Sequence, residues 1–113
     1  MLLPNADLAE IDPQKLHGYL LSPTHSVGRF KARFFAALGY SAERWQELDA
    51  DLRTQHLTQD AQPGELLPEG QVFTIRAILK GPNKQSAVVL SVWFIAAAGG
   101  PPRFVTAYPG GTR

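Results

Sequence analysis

The chemically suggestive stretch of this chain is Ser22-Pro-Thr-His25-Ser-Val-Gly-Arg29-Phe-Lys31-Ala-Arg33, which holds one of its 3 histidines close to a run of cations. His25 falls where a loop enters a helix, beside backbone N–H groups that attract anions, and imidazole is the side chain that gains or loses a proton near neutral pH. Arg29 and Lys31 follow it and suit a bound phosphate. The position equally suits a helix-start residue hydrogen-bonded to its own backbone, and both readings stay open. His17 and His56 have less context. No two histidines, and no histidine and carboxylate, share i, i+4 spacing with a third ligand nearby, so neither a metal nor a cofactor is expected.

A second set of candidates comes from the C-terminal half. In Val72-Phe-Thr-Ile-Arg-Ala-Ile-Leu-Lys80, alternation puts Thr74, Arg76, Ile78 and Lys80 on one strand face and Phe73, Ile75, Ala77 and Leu79 on the other. Ser91 and Trp93 share a face of the next strand, and Thr106 and Tyr108 share one on the last, next to Arg103. If the registers agree, one concave sheet surface carries Arg76, Lys80, Ser91, Trp93, Thr106 and Tyr108; a one-residue slip would reverse any member strand. Without a Walker loop, a G-x-G-x-x-G or a G-x-S-x-G, the reaction these residue types can run is attack of a ribose 2′-OH on its adjacent phosphate, which needs a base, an acid and cations.

These groups must be positioned by recognisable elements. Asp12 caps a helix with Pro13 in its first turn and Leu16, Tyr19 and Leu20 at helical spacing, and Ser22-Pro23 ends it. A second helix starts after Thr24-His25-Ser26, with Val27, Phe30, Phe34 and Leu38 as the stripe expected to cover the sheet, and Gly39 stops it. Ser41 opens a third helix with Trp45, Leu48 and Leu52 apolar. Residues 55–69 read as a long connection with room for one short strand. Then Val72–Lys80, a Gly81-Pro-Asn-Lys84 turn, Ser86–Ala97 and Arg103–Pro109 form a meander, whose middle arm is apolar enough to be covered on both faces for part of its length. The expected fold is α+β: about three N-terminal helices packed on one face of a C-terminal antiparallel β-meander of three to four strands. One domain is expected over 1–113, with a helical half at 1–56 and a sheet at 70–109.

Composition sets outer limits. With 44% hydrophobic and 19% charged residues the chain is that of a packed globule, and with 0 cysteines no disulfide framework holds it. Net charge is +1, yet all 10 acidic residues lie at or before Glu69, while 70–113 carry only basic ones. Between Pro13 and Ala42 there is again no acid; an anionic partner and chance surface clustering both fit this distribution, and both readings stay open. No membrane span or secretory start is legible, and the expected address is cytoplasmic.

Ser22-Pro-Thr-His-Ser-Val-Gly-Arg-Phe-Lys-Ala-Arg-Phe-Phe, Gly81-Pro-Asn, Ser91-Val-Trp and Arg103-Phe-Val-Thr-Ala-Tyr-Pro109 resemble a family of small uncharacterised bacterial domains found singly or at the C-termini of polymorphic-toxin-like proteins. The helix-first, meander-last order and the Thr-Ala-Tyr-Pro strand also resemble the barnase-like, EndoU-like, colicin-type and RelE-like ribonuclease toxins. The chain departs from their familiar members in its modest net charge and acidic third helix. That resemblance implies a metal-independent endoribonuclease whose sheet residues hold RNA and whose partner is a cognate antitoxin or immunity protein. The expected roles are catalysis for His25, Lys80, Thr106 and Tyr108, and RNA binding for Arg29, Lys31, Arg76, Ser91, Trp93 and Arg103. The alternative is a non-enzymatic interaction module, an adaptor or antitoxin-like binder, working through the sheet face or edge. Oligomeric state is not legible.

Overall fold

Asp12 does cap the first helix: its Oδ1 accepts the Gln14 N–H at 2.9 Å, with Pro13 at the first position. In the computed structural model, which describes residues 1–111, helix α1 (Pro13–Lys15) widens at once into a π-helical turn over Leu16–Leu20. The wider turn buries Leu16 and Leu20 while Tyr19 stays half-exposed. Helix α2 (Arg29–Ala36) ends where Gly39 takes φ +98° and Tyr40 N–H bonds back to the Phe35 carbonyl at 3.1 Å. Helix α3 (Trp45–Asp51) is led in by a 3-10 turn at Ala42–Arg44 and continued by a second π-helical turn at Leu52–His56. Leu2 and Leu8 of the lead-in stay exposed, while Leu3 and Ile11 are buried.

The connection after α3 supplies the short strand β1 (Gln62–Leu67), followed by β2 (Gly70–Lys80), β3 (Ser86–Ala96) and β4 (Arg103–Pro109) in an antiparallel meander ordered β1-β2-β3-β4. The helices lie on one face of it. The last turn of α3 packs on β2, and Gln55 clamps the end of that strand, accepting from Lys80 N–H at 2.7 Å and donating to its carbonyl at 3.0 Å. Phe73, Ile75 and Leu79 face the helices and are buried, while Arg76, Ile78 and Lys80 face outward, as alternation predicts.

Two expectations are corrected. The buried face of α2 is Ala32, Phe35 and Leu38; Val27 and Phe30, in the expected stripe, are 57% and 63% exposed. Adjacent Phe34 and Phe35 made the period ambiguous, and the face lies one residue, roughly 100°, around the helix. The register also rules out the shared surface proposed for Ser91 and Trp93. Ser91 pairs with Ile75 and Trp93 with Phe73, so both point into the core at 0% exposure, where no substrate meets them. Thr106 and Tyr108 pair with Val92 and Leu90, on the face of Thr74 and Arg76.

Ser91 is nevertheless a polar centre. Its hydroxyl accepts the Trp93 indole N–H at 2.9 Å and meets His56 Nδ1 at 2.8 Å, with the Ile75 carbonyl at 3.5 Å. His56 is fully buried and its Nε2 makes no well-formed hydrogen bond. Burial pulls its pKa from 6.5 to about 4, only partly opposed by a backbone hydrogen bond to Ala77. The unfolded chain therefore binds a proton that the fold excludes, so this contribution is complete above the unfolded value and falls away as the pH drops from 6.5 towards 4. Urea unfolding at pH 5 should give a stability about 2 kcal/mol below that at pH 8, and His56→Leu should flatten that slope; an equal slope in the variant would show that other groups carry it.

Candidate functional site

The site is built where the exit of α1 crosses the entry of α2. Gly28 touches Tyr19 so closely that a Cβ there would stand 2.0 Å from the Tyr19 carbonyl oxygen. Only glycine permits this approach. His25 supplies the second fastening: its Nδ1 accepts the backbone N–H groups of Val27 and Gly28, each at 3.0 Å. An accepting Nδ1 places the ring proton on Nε2. The backbone-bonding reading of His25 thus describes one ring nitrogen, while the other remains a donor.

From this crossing, Lys31 on α2 reaches back to Tyr19 and across to the outer strand. Its Nζ donates to the Tyr19 hydroxyl at 2.7 Å and to Thr106 Oγ1 at 3.4 Å. It also lies 5.2 Å from the Tyr19 ring centroid and 5.8 Å from that of Tyr108. The His25 ring meets Tyr19 edge-on, with centroids 5.0 Å apart. The hydrogen bond from Lys31 holds the Tyr19 phenol below its ordinary value; burial opposes this, and Thr106 and Lys15 assist Lys31. His25, Tyr19, Lys31, Thr106 and Tyr108 therefore form one partly open cluster of a proton donor, an activated phenol, an ammonium and two hydroxyls.

A groove leads into this cluster between α1 and the edge of β4. Beside Tyr19 and Thr106 is a recess of about 450 Å³, and a second of about 520 Å³ runs on to Arg103 and Phe94; they share Asp12, Lys15 and Val105. Val105 turns towards it because the β3–β4 register shifts between Val92 and Trp93, which leaves Val105 without a partner in the ladder. Arg103 stands at the far end, in a loose ion pair with Glu10 at 3.8 Å.

The remaining predicted residues lie elsewhere. Lys80 ends β2, six positions beyond the Thr74 that lies in line with Thr106, roughly 20 Å along the strand. Arg76 is on the outward sheet face opposite Leu90, near Gly111. Arg29 bonds the Ser26 carbonyl at 2.5 Å, stacks on Phe30 and lines a separate recess with Pro23 and Arg33. Sequence reasoning overlooked Tyr19 and Gly28. Tyr19 fell among the helix-spaced apolar residues, and the signal that could have singled it out was its hydroxyl, which a core position would have had to satisfy. Among the described residues no group of three histidine or carboxylate side chains could hold a metal ion, and no helix is long and apolar enough to cross a membrane.

No curated protein matches the chain. Among solved structures, it is similar to a chain of the contact-dependent growth inhibition toxin–immunity protein complex from Klebsiella pneumoniae 342, with a TM-score of 0.57 and 16% identity over 97% of this chain and 100% of that one. At that identity the likeness is one of fold. Residues 2–111 match the family model described as a domain of unknown function, DUF6883, and the chain belongs to that family.

Proposed function

We propose that the chain is a toxin-type, metal-independent endoribonuclease whose site is the Tyr19–Lys31–Thr106 cluster with His25. The observation that carries this reading is Lys31, held at 2.7 Å from one hydroxyl and 3.4 Å from another at the end of a groove, beside a histidine whose Nε2 is a donor. The fold shared with a chain of a toxin–immunity complex supports a toxin-like or immunity-like role. In the proposed reaction the Tyr19 phenolate takes the proton of a ribose 2′-OH, whose oxygen forms a bond to the adjacent phosphorus. Lys31 stabilises the charge on the crowded phosphate, His25 Nε2–H hydrogen-bonds the departing 5′-oxygen, and that oxygen takes its proton from water as the P–O5′ bond breaks. The products are a 2′,3′-cyclic phosphate and a 5′-hydroxyl. Thr106 steadies Lys31, Tyr108 offers a ring at the rim for a base, and Lys15 and Arg103 line the path of the strand.

A second reading, a non-enzymatic binder of antitoxin or immunity type, is favoured by the apolar outward face of the sheet. Cutting of RNA separates the two. In EDTA, purified protein should cut total RNA to cyclic-phosphate ends; Tyr19→Phe and Lys31→Ala should each slow this by about a hundredfold or more, while Lys80→Ala should stay within about twofold of wild type. Absence of cutting by the wild type, or equal rates in Tyr19→Phe, would defeat the enzymatic reading.

The pH profile gives an independent check. Because the base is a phenolate, the rate should rise with pH through the lowered Tyr19 value, and Lys31→Met should move the rising limb to higher pH. A limb that stays put in the variant would assign the base to another group. Gly28→Ala, which must push α2 off Tyr19, should cost about a hundredfold in rate through misplacement of Lys31; a rate within threefold of wild type would mean that the crossing is not needed.

A further inference from the structure

The central strand β3 is apolar on both faces, but the helices cover only one. Inward it presents Val89 and Trp93, which are fully buried. Outward it presents Val88, Leu90, Val92 and Phe94, all only half-buried, with Ile78 of β2 beside them at 63% exposure and Tyr108 at the β4 edge at 38%. An antiparallel sheet with a wet face normally alternates apolar inward with polar outward. Gly110 and Gly111 pass close to Val88 and Arg76 at one margin. Among the described residues nothing else covers the outward face, although its strand composition calls for a layer. It offers a platform on the order of 15 by 35 Å over β2 to β4, roughly 500 Å² in outline, which suits the apolar middle of one side of an interface.

We infer that this outward face is the docking surface for a protein partner that presents aliphatic side chains flanked at one end by carboxylates. The charge on the surface selects the occupant. The β2–β3 end of this face carries the exposed Lys80 and Lys84, Arg103 at the other end already meets Glu10, and β2 to β4 hold no aspartate or glutamate, so the lysine end calls for acidic groups while the centre calls for apolar ones. RNA is a poor cover for the centre, because bases stack on rings and the middle of this face is valine, leucine and isoleucine. A second copy of the chain is also a poor cover, since a two-fold contact sets the face against itself and opposes like charges. Tyr108 ties the surface to the groove: it belongs to the outward face, and the Lys31 Nζ lies 5.8 Å from its ring centroid. A partner seated here borders the catalytic cluster without using Tyr19 or Lys31. The inference therefore stands apart from the ribonuclease reading.

The test uses fragments of the organism's own genome displayed on phage, selected on the wild-type chain and counter-selected on Ile78→Asp. Ile78 and Lys80 are exposed, so Ile78→Asp and Lys80→Glu should keep the wild-type circular dichroism and melting. The expected result is an acidic partner whose Kd, measured by calorimetry with purified proteins, rises at least about tenfold in each variant. That Kd should weaken with added salt and stay unchanged in Lys31→Ala, which reports on cutting alone. The inference is overturned if no fragment prefers wild type to Ile78→Asp, or if the recovered partner binds both variants as tightly as wild type. It is equally overturned if the chain forms a dimer in light scattering that Ile78→Asp dissolves, or if Ile78→Asp lowers affinity for RNA in filter binding.

Discussion

One hydroxyl deep in the protein holds its two halves in a single arrangement. Ser91 sits on the central strand, accepts the Trp93 indole and meets the ring of His56, the last residue of the π-helical turn that follows α3. Burying an indole N–H, an imidazole and a serine without partners would cost several kcal/mol, on the order of 1–3 for each. Together they nearly satisfy one another, and they do so in only one register of helix against sheet. The apolar residues around them, Leu48, Leu52, Ile75 and Leu79, would pack in more than one way; the hydrogen bonds choose among those ways.

Once α3 is fixed, the other helices have little freedom. Helix α2 meets the sheet side at its two ends. At one, Asn83 of the β2–β3 turn bonds the Ala37 carbonyl at 3.0 Å; at the other, Lys31 bridges to β4. Between these points it leans on the π-helical turn of α1, where Gly28 and Tyr19 are in contact. An ammonium between two phenol rings and a threonine is therefore a product of helix crossing, set by a residue with no side chain.

Much of the architecture was legible because alternation in β2 is unambiguous: charged and buried residues take turns along the strand. The same reasoning failed on β3, where both faces are apolar and Ser91, the one polar residue in the run, read as outward. Its role as an internal acceptor depends on His56, far away in sequence, and no local pattern reports such a pairing. For α2, the expected stripe of Val27, Phe30, Phe34 and Leu38 took the first of two adjacent phenylalanines, whereas Ala32 and Phe35 are buried and, of that stripe, Val27 and Phe30 are exposed. The histidine and lysine of the candidate cluster could be singled out by their types and spacing. Tyr19 could not, because in a helix of leucines an aromatic residue reads as core, and its hydroxyl matters only through a lysine on another helix.

The bulge at Val105 gives β4 two registers in one strand. Before it, Phe104 packs on Trp93; after it, Ala107 enters the core and Thr106 and Tyr108 turn outward. The groove and the outward face thus draw on neighbouring residues of one short stretch, and both depend on one count along the chain. Inserting a single residue between Val105 and Ala107 would leave composition, charge and helices as they are, yet would turn Tyr108 inward and Ala107 out. One added residue would thus undo both surfaces at once, a larger effect than exchanging any single exposed side chain of the strand.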